Sequence, residues 1–476
     1  MSQRFKSLHF VGAGGIGMSA LAQMSAAQGI VTTGSDRAAA SPENARIFNA
    51  LKAQGVRIFP QDGSVYEEVT PEALVYSTAI EEDNPDFAKA PAGTPRLHRS
   101  DALKYLVESV QAENMIAVAG TCGKTSVTSQ LAEALYHLGA DPGVICGGLV
   151  NAFVSDSLAG NFRAGSGKIF VVEADESDKS LLNYTADTAV ILNIGTDHYP
   201  KDVLAEVFRQ FIRNTRRNLV LASSVLAAVG TEVCTGKNVL VFRDSTDPVP
   251  ADYPCIELDS YHAGCGGAFC AFDSHPESAM RAPGHHNALN TLAVYGVLIQ
   301  MGFAKDAAYK AATDFNGVWR RFDFAGRMKN GCPVYDDYAH NPEKIISCLD
   351  AAKSISCGRV VLLFQPHGFK PFGDMRDVLF EMLEEKLEDG DIFGLLPVYY
   401  AGGTSSFKPS ACEVAEDYRT RSGKPERYPC FADRAEAEAF LAAHLTGCET
   451  VVIMGARDNS LSVWAKELAK NGLSFL

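Results

Sequence analysis

Residues 117–126 read AVAGTCGKTS: a short apolar run, a turn carrying Gly120 and Gly123, then Lys124, Thr125 and Ser126 opening a helix-like stretch from Val127 to Gly139. A strand, a glycine turn and a helix N-terminus make a cradle for phosphates, because backbone N–H groups and the helix dipole both point at the anion. That commits the segment to an α/β sheet and predicts ATP as ligand. Lys124 is placed to reach the outer phosphates, and the Thr125 hydroxyl takes a magnesium position. Counting back from Gly123 puts Val118 where the common eight-residue pattern has glycine, with Gly120 inside the loop instead.

At 476 residues the chain exceeds a single core and predicts about three domains. The formal net charge of -14 argues against a nucleic-acid partner, which would need a basic face. Small anions held in local basic pockets fit better. The twelve cysteines are scattered and read as reduced thiols of a cytoplasmic protein. Cys255, His262, Cys265, Cys270 and His275 lack a short CxxC pair and read as loop residues rather than a zinc site. No signal peptide is visible, and the most apolar stretch, Leu219 to Val229, is about half the length that spans a bilayer. Membrane association is not expected.

The N-terminal segment opens with an apolar run, Leu8 to Val11, then Gly12, Gly14, Gly15, Ile16 and Gly17, then a helix-like run to Ala27. Asp36 lies about 20 residues on, after a second strand, which completes the fingerprint of a doubly wound nucleotide fold. The pattern alone allows NAD, with Asp36 on a ribose. A third strand ends in Ser77-Thr78. A boundary falls near Glu113, giving domains at 1–112, 113–321 and 322–476.

In the central segment one predicted strand ends in Glu173 and Asp175 and another in Asp197-His198. Parallel strands present their carboxyl ends on one edge, where the phosphate loop also lies, so Glu173 and His198 are candidates for the metal on the phosphates. Asn287 and Asn290 share a face near the start of a later helix, where amides can read an adenine edge or simply cap. The last segment alternates strands with helices again. Its strand ends carry Asp336, Asp337, Tyr338, His340 and Asn341, then Gln365 to His367, then Gly455 to Asp458.

Ten blocks in order, VGAGGIGMS, STAIEEDNP, GTCGKTS, EADESD, NIGTDH, APGHHNALN, RRFDFAGR, DDYAHNP, FQPH and MGARD, resemble the Mur ligase family of ATP-dependent amide-forming enzymes. The glycine loop, EADESD and FQPH are most similar to its L-alanine-adding branch. The resemblance implies three α/β domains: an N-terminal Rossmann-like domain for the UDP substrate, a central P-loop domain for ATP, and a Rossmann-like C-terminal domain that binds the amino acid and closes. UDP-N-acetylmuramate and a small amino acid, L-alanine foremost, are the implied substrates, with a preformed tripeptide, serine or glycine as alternatives. ATP and Mg2+ are the implied cofactors, in a monomer or weak homodimer.

Carried over by position, the resemblance implies UDP-substrate contacts from Gly14, Gly15, Ile16, Gly17, Asp36, Ser77 and Thr78. It implies ATP contacts from Gly120, Thr121, Gly123, Lys124, Thr125, Ser126, Asn287, Asn290, Arg321 and Asp337. Thr125, Glu173 and His198 would organise magnesium, and Lys124, Glu173, His198 and His340 would be catalytic, His340 toward the incoming amino acid. Three positions depart from the branch: Cys122 for a His in the phosphate loop, Asn341 for a second His, and Gly368-Phe369-Lys370 for an Arg-containing segment.

Overall fold

The structure, a computed structural model, describes residues 4–41, 44–175, 180–183, 185–195, 199–250, 252–400 and 407–471. These divide into two compact units, one built from 1–260, 270–278 and 286–319 and the other from 261–269, 279–285 and 320–476.

The first unit carries two sheets. The N-terminal sheet has five parallel strands in the order Arg57–Phe59, Val31–Ser35, Ser7–Val11, Ala73–Tyr76, Arg96–His98. Its order reverses between Ser7–Val11 and Ala73–Tyr76, and in an open parallel sheet that switch point is where a crevice opens beyond the carboxyl ends. The glycine loop and Ser77-Thr78 both stand there. Ser7–Val11 is apolar along its buried length because helices cover both faces of such a sheet.

The end of the STAIEEDNP block, with Asp86 just beyond it, scaffolds that edge. Asn84 caps the short helix Pro85–Ala88 by accepting from the Asp86 N–H. Fully buried Asp86 in turn accepts from the Ser35 hydroxyl and, at 2.8 Å, from the Gly63 N–H, and faces His9 Nε2 at 3.5 Å.

In the second sheet seven consecutive strands run in the order Asn238–Asp244, Asn218–Ala222, Thr188–Ile191, Asn114–Ala119, Ile169–Glu173, Gly143–Ile145, Phe162–Arg163. All neighbours but the last pair are parallel. Asn114–Ala119 is the strand that feeds the phosphate loop, and its two neighbours end in Glu173 and in Ile191, with Gly195 four residues beyond the latter. The stretch 255–280 contains the strands Cys255–Gly264, Gly267–Phe272 and Ser278–Met280, so Cys255, His262 and Cys270, read from sequence as loop residues, lie on strands, while Cys265 and His275 stand between them. Its alternation is interrupted by glycines and polar residues, which hides the period of two.

The C-terminal unit has a five-stranded sheet, Asp323–Arg327, Pro333–Asp337, Thr450–Gly455, Val360–Gln365, Ile392–Leu395. Four strands are parallel and Asp323–Arg327 is an antiparallel edge. Strands Val360–Gln365 and Thr450–Gly455 are buried on both faces, as continuous apolar runs predict. The expectation of reduced thiols throughout is corrected here: Cys265 pairs with Cys357 and Cys412 with Cys430, at Cα separations of 4.5 and 5.3 Å. Spacing in sequence carried no sign of partners 92 residues apart.

Candidate active site

Helix Lys124–His137 begins directly after the glycine turn, with Gly123 at its N-cap and φ +88. A side chain there would be strained, and its Cβ would stand 2.8 Å from Asn290 Oδ1 and 3.1 Å from Asn290 Nδ2. Gly123 is therefore required twice over, by the turn and by the amide packed on it. Asn290 is buried on helix His285–Gln300, and its Nδ2 donates to Asn287 Oδ1 at 3.4 Å. The structure brings both amides to the phosphate loop through this contact.

The loop is braced from the adjoining strand end. Thr121 Oγ1 accepts from the Gly195 N–H at 2.8 Å, while Asn193 accepts from the Cys122 N–H and donates to the Cys122 carbonyl, both at 2.9 Å. Cys122, where the resemblance expects His, is exposed. Lys124 Nζ donates to the Gly120 and Thr121 carbonyls at 2.8 and 3.3 Å, so its ammonium lies over the loop itself. Ser126 follows in the helix's first turn, half-buried.

Thr125 Oγ donates to Glu173 Oε1 at 2.8 Å, and Glu173 Oε2 accepts from the Gly147 N–H at 2.8 Å. A hydroxyl and a carboxylate 48 residues apart are thus juxtaposed at the loop, an oxygen donor set of the kind magnesium takes beside phosphates. Among the described residues no group of three or more His, Cys, Asp or Glu gathers into a metal cage. A phosphate-bound magnesium needs only one or two protein oxygens, so Thr125 and Glu173 fit it. His198, with Glu176, Asp178 and Asp197, lies outside the described residues.

At the N-terminal sheet, the Gly14 N–H donates to Asp36 Oδ2 at 2.9 Å and the Ala38 N–H to Asp36 Oδ1 at 2.8 Å. Asp36 thus fixes the glycine loop from within. Gly15 caps helix Ile16–Ala27, and Gly17 is its second residue. Ser77 is half-buried and Thr78 exposed after strand Ala73–Tyr76.

Gly17 also lines a cleft, open to solvent, with Arg99, Ser100, Gly147, Glu173 and Asp175. One cavity of the first unit therefore touches both the first turns of the helix that follows the glycine loop and the carboxylate that holds Thr125. Arg99 is a residue that sequence reasoning missed. It begins helix Arg99–Glu108, stands 3.6 Å from where a Gly17 Cβ would be, and reaches Asp175 at 4.0 Å. Its only signal was an Arg at a strand end, after His98.

In the C-terminal unit Arg321 is exposed, whereas its neighbour Arg320 is buried. Arg320 donates to Asp336 Oδ1 at 3.2 Å and to the Asp458 and Gly455 carbonyls at 3.1 and 2.5 Å. Asp337 accepts from the Phe322 and Ala339 N–H groups at 2.6 and 2.7 Å. Desolvation raises its pKa to about 6 against the opposing pull of Arg321. His340 sits at 5.3 Å, ring centre to ring centre, from His367.

A phosphate loop on a central parallel sheet, preceded by a dinucleotide-type sheet and followed by a second α/β unit, defines a multidomain nucleotide-dependent α/β enzyme fold. Three family models match in succession: Mur ligase family, catalytic domain, at 7–111; Mur ligase middle domain at 118–298; and Mur ligase, glutamate ligase domain, at 320–457. The chain belongs to the Mur ligase family. It is 32% identical to the UDP-N-acetylmuramate--L-alanine ligase of Chelativorans sp. (strain BNC1) over 99% of both chains. It is 37% identical to the Arthrobacter sp. (strain FB24) protein of that name over 76% of this chain and 75% of that one. The crystal structure of the Thermotoga maritima UDP-N-acetylmuramate-alanine ligase shares the fold, with TM-score 0.74 at 24% identity over 98% of this chain and 99% of that one. A murein peptide ligase from Psychrobacter arcticus shares it at TM-score 0.65 and 21% identity, over 99% of both chains.

Proposed function

We propose that this protein joins L-alanine to the lactyl carboxylate of UDP-N-acetylmuramate at the expense of ATP, in the cytoplasm, as a step of peptidoglycan synthesis. The observation that carries the reading is the single cleft shared by Gly17, Arg99 and Glu173, which suits a substrate with a UDP end and a reacting acid end. Full-length likeness to proteins named for this reaction supports it. Among the described residues no helix is long and apolar enough to cross a membrane.

A carboxylate is a poor electrophile, and amide formation in water is uphill. Both obstacles fall if the carboxylate attacks the γ-phosphate to give an acyl phosphate that an amine then displaces. Phosphoryl transfer asks mainly for positioning and charge neutralisation. Lys124 would neutralise the outer phosphates, with Gly120, Thr121, Gly123 and Ser126 lining the cradle. Thr125 and Glu173 would hold Mg2+, which supplies further positive charge at the transferred phosphoryl group, with His198 as the third ligand in the family pattern. Asn287 and Asn290 would lie on the nucleoside side. Arg321 and Asp337 would complete the nucleotide contacts upon closure of the C-terminal unit, which shields the acyl phosphate from water.

The UDP end would rest on Gly14, Gly15, Ile16 and Gly17, which Asp36 holds in place, and on Ser77 and Thr78. Arg99 would position the acid end. Replacing it removes a charge-assisted bond of about 1.5–3 kcal/mol, so Arg99→Gln should raise the KM for the UDP-sugar roughly ten- to a hundredfold while altering kcat less. Steady-state kinetics at saturating ATP and L-alanine check this.

The function itself is tested by ADP release from the purified protein given UDP-N-acetylmuramate, ATP and Mg2+, with L-alanine, L-serine, glycine or the tripeptide as amine. L-alanine should give the highest kcat/KM. No ADP with any amine would end the proposal, and preference for the tripeptide would replace it.

A further inference from the structure

One hydrogen bond fixes the chemistry of His340. Its Nδ1 stands 2.8 Å from the carbonyl oxygen of Tyr338. A carbonyl only accepts, so Nδ1 carries the proton of the neutral ring and Nε2 the lone pair. The side chain is half-buried, and among the described residues no hydrogen bond occupies Nε2.

The surroundings keep the ring neutral. His367 and Tyr338 pack against it edge-on, with ring centres 5.3 and 5.6 Å away. Burial, and then the positive charges of Lys344, Arg321 and Arg457, hold the imidazole below its usual range. His367 is pushed further, to about 4, by burial, His340 and Arg457. The nearest carboxylate in sequence, Asp337, is committed to the Phe322 and Ala339 N–H groups. A neutral ring offering a lone pair is a poor partner for an amino acid's carboxylate, which Arg457 suits better. It is a good partner for an N–H.

We infer that Nε2 of His340 accepts the proton shed by the amine as it attacks the acyl phosphate. The inference rests on the ligase reading. In the step, the C–N bond forms, the C–O bond to phosphate breaks, phosphate leaves with the bonding pair, and one N–H proton passes to Nε2 and on to solvent. No further reactant is needed.

Hydroxylamine separates this role from binding or support, because it is mostly unprotonated at neutral pH and attacks acyl phosphates without a base. With the whole enzyme, UDP-N-acetylmuramate, ATP and Mg2+, His340→Gln should lower kcat for L-alanine about a hundredfold with little change in KM. Hydroxamate formation from hydroxylamine should stay within about threefold of wild type. In the wild type, kcat for L-alanine should fall at low pH, below the ordinary histidine range, where a proton takes the lone pair, and His340→Gln should lack that limb.

Equal losses with both nucleophiles in a variant that melts like wild type, or a loss confined to KM, would overturn the proposal. His340→Gly supplies a second reading: added imidazole should restore the L-alanine reaction, and failure to do so counts against the role. A wild type that makes neither amide nor hydroxamate would instead refute the ligase reading.

Discussion

Lys124→Ala should lower kcat for ADP formation about a thousandfold or more, because its ammonium neutralises charge that grows as the phosphoryl group transfers. The fold should not suffer. Lys124 is half-buried and donates to the loop carbonyls of Gly120 and Thr121, bonds of about 1 kcal/mol each, so the melting temperature should fall by only a few degrees. Lys124→Arg should fail to rescue, since a planar fork does not fit where a compact ammonium lies over two carbonyls of a tight turn. Single-turnover phosphoryl transfer with UDP-N-acetylmuramate and ATP is the direct measurement. Near-wild-type transfer in Lys124→Ala would mean that the loop binds nucleotide without catalysing.

The second large effect concerns stability. Arg320 and Asp336 form an ion pair with side chains 1% and 2% exposed, and the same guanidinium serves the Gly455 and Asp458 carbonyls. Removing one member of a buried pair leaves an uncompensated charge and costs about 3–5 kcal/mol. For a unit of this size, Arg320→Ala should therefore lower the transition of the C-terminal unit by roughly 10 °C in calorimetry. Adding Asp336→Asn to that variant should return part of the loss, because no buried charge then remains unpaired. Exposed Arg321→Ala, one residue along, should stay within about 0.5 kcal/mol of wild type. A small effect of Arg320→Ala would contradict the burial of the pair.

That contrast between adjacent arginines shows where sequence reading stops. RRFDFAGR stands out as a block of the family resemblance, but nothing in its order says which guanidinium turns inward; packing against Asp336 and the Gly455 carbonyl decides it. The phosphate loop was legible because its logic is local, a strand, two glycines and a helix start within ten residues. Glu173 was legible as a strand end, since parallel strands share an edge. Its hydrogen bond to Thr125 was not, because it depends on neighbouring strands 48 residues apart in sequence. Arg99 stayed hidden for the same reason. Asp36 was found by spacing, yet its two backbone bonds within the glycine turn appear only in three dimensions.

The junction at Trp319 and Arg320 carries a last consequence. Val318 bridges to Val150, and the Trp319 N–H donates to the Leu149 carbonyl, so the chain is stitched to the first unit up to that residue. Arg320, at φ 57, is already anchored in the second. A β-branched residue would be strained at that left-handed backbone, so position 320 is selected for its turn as well as for its charge.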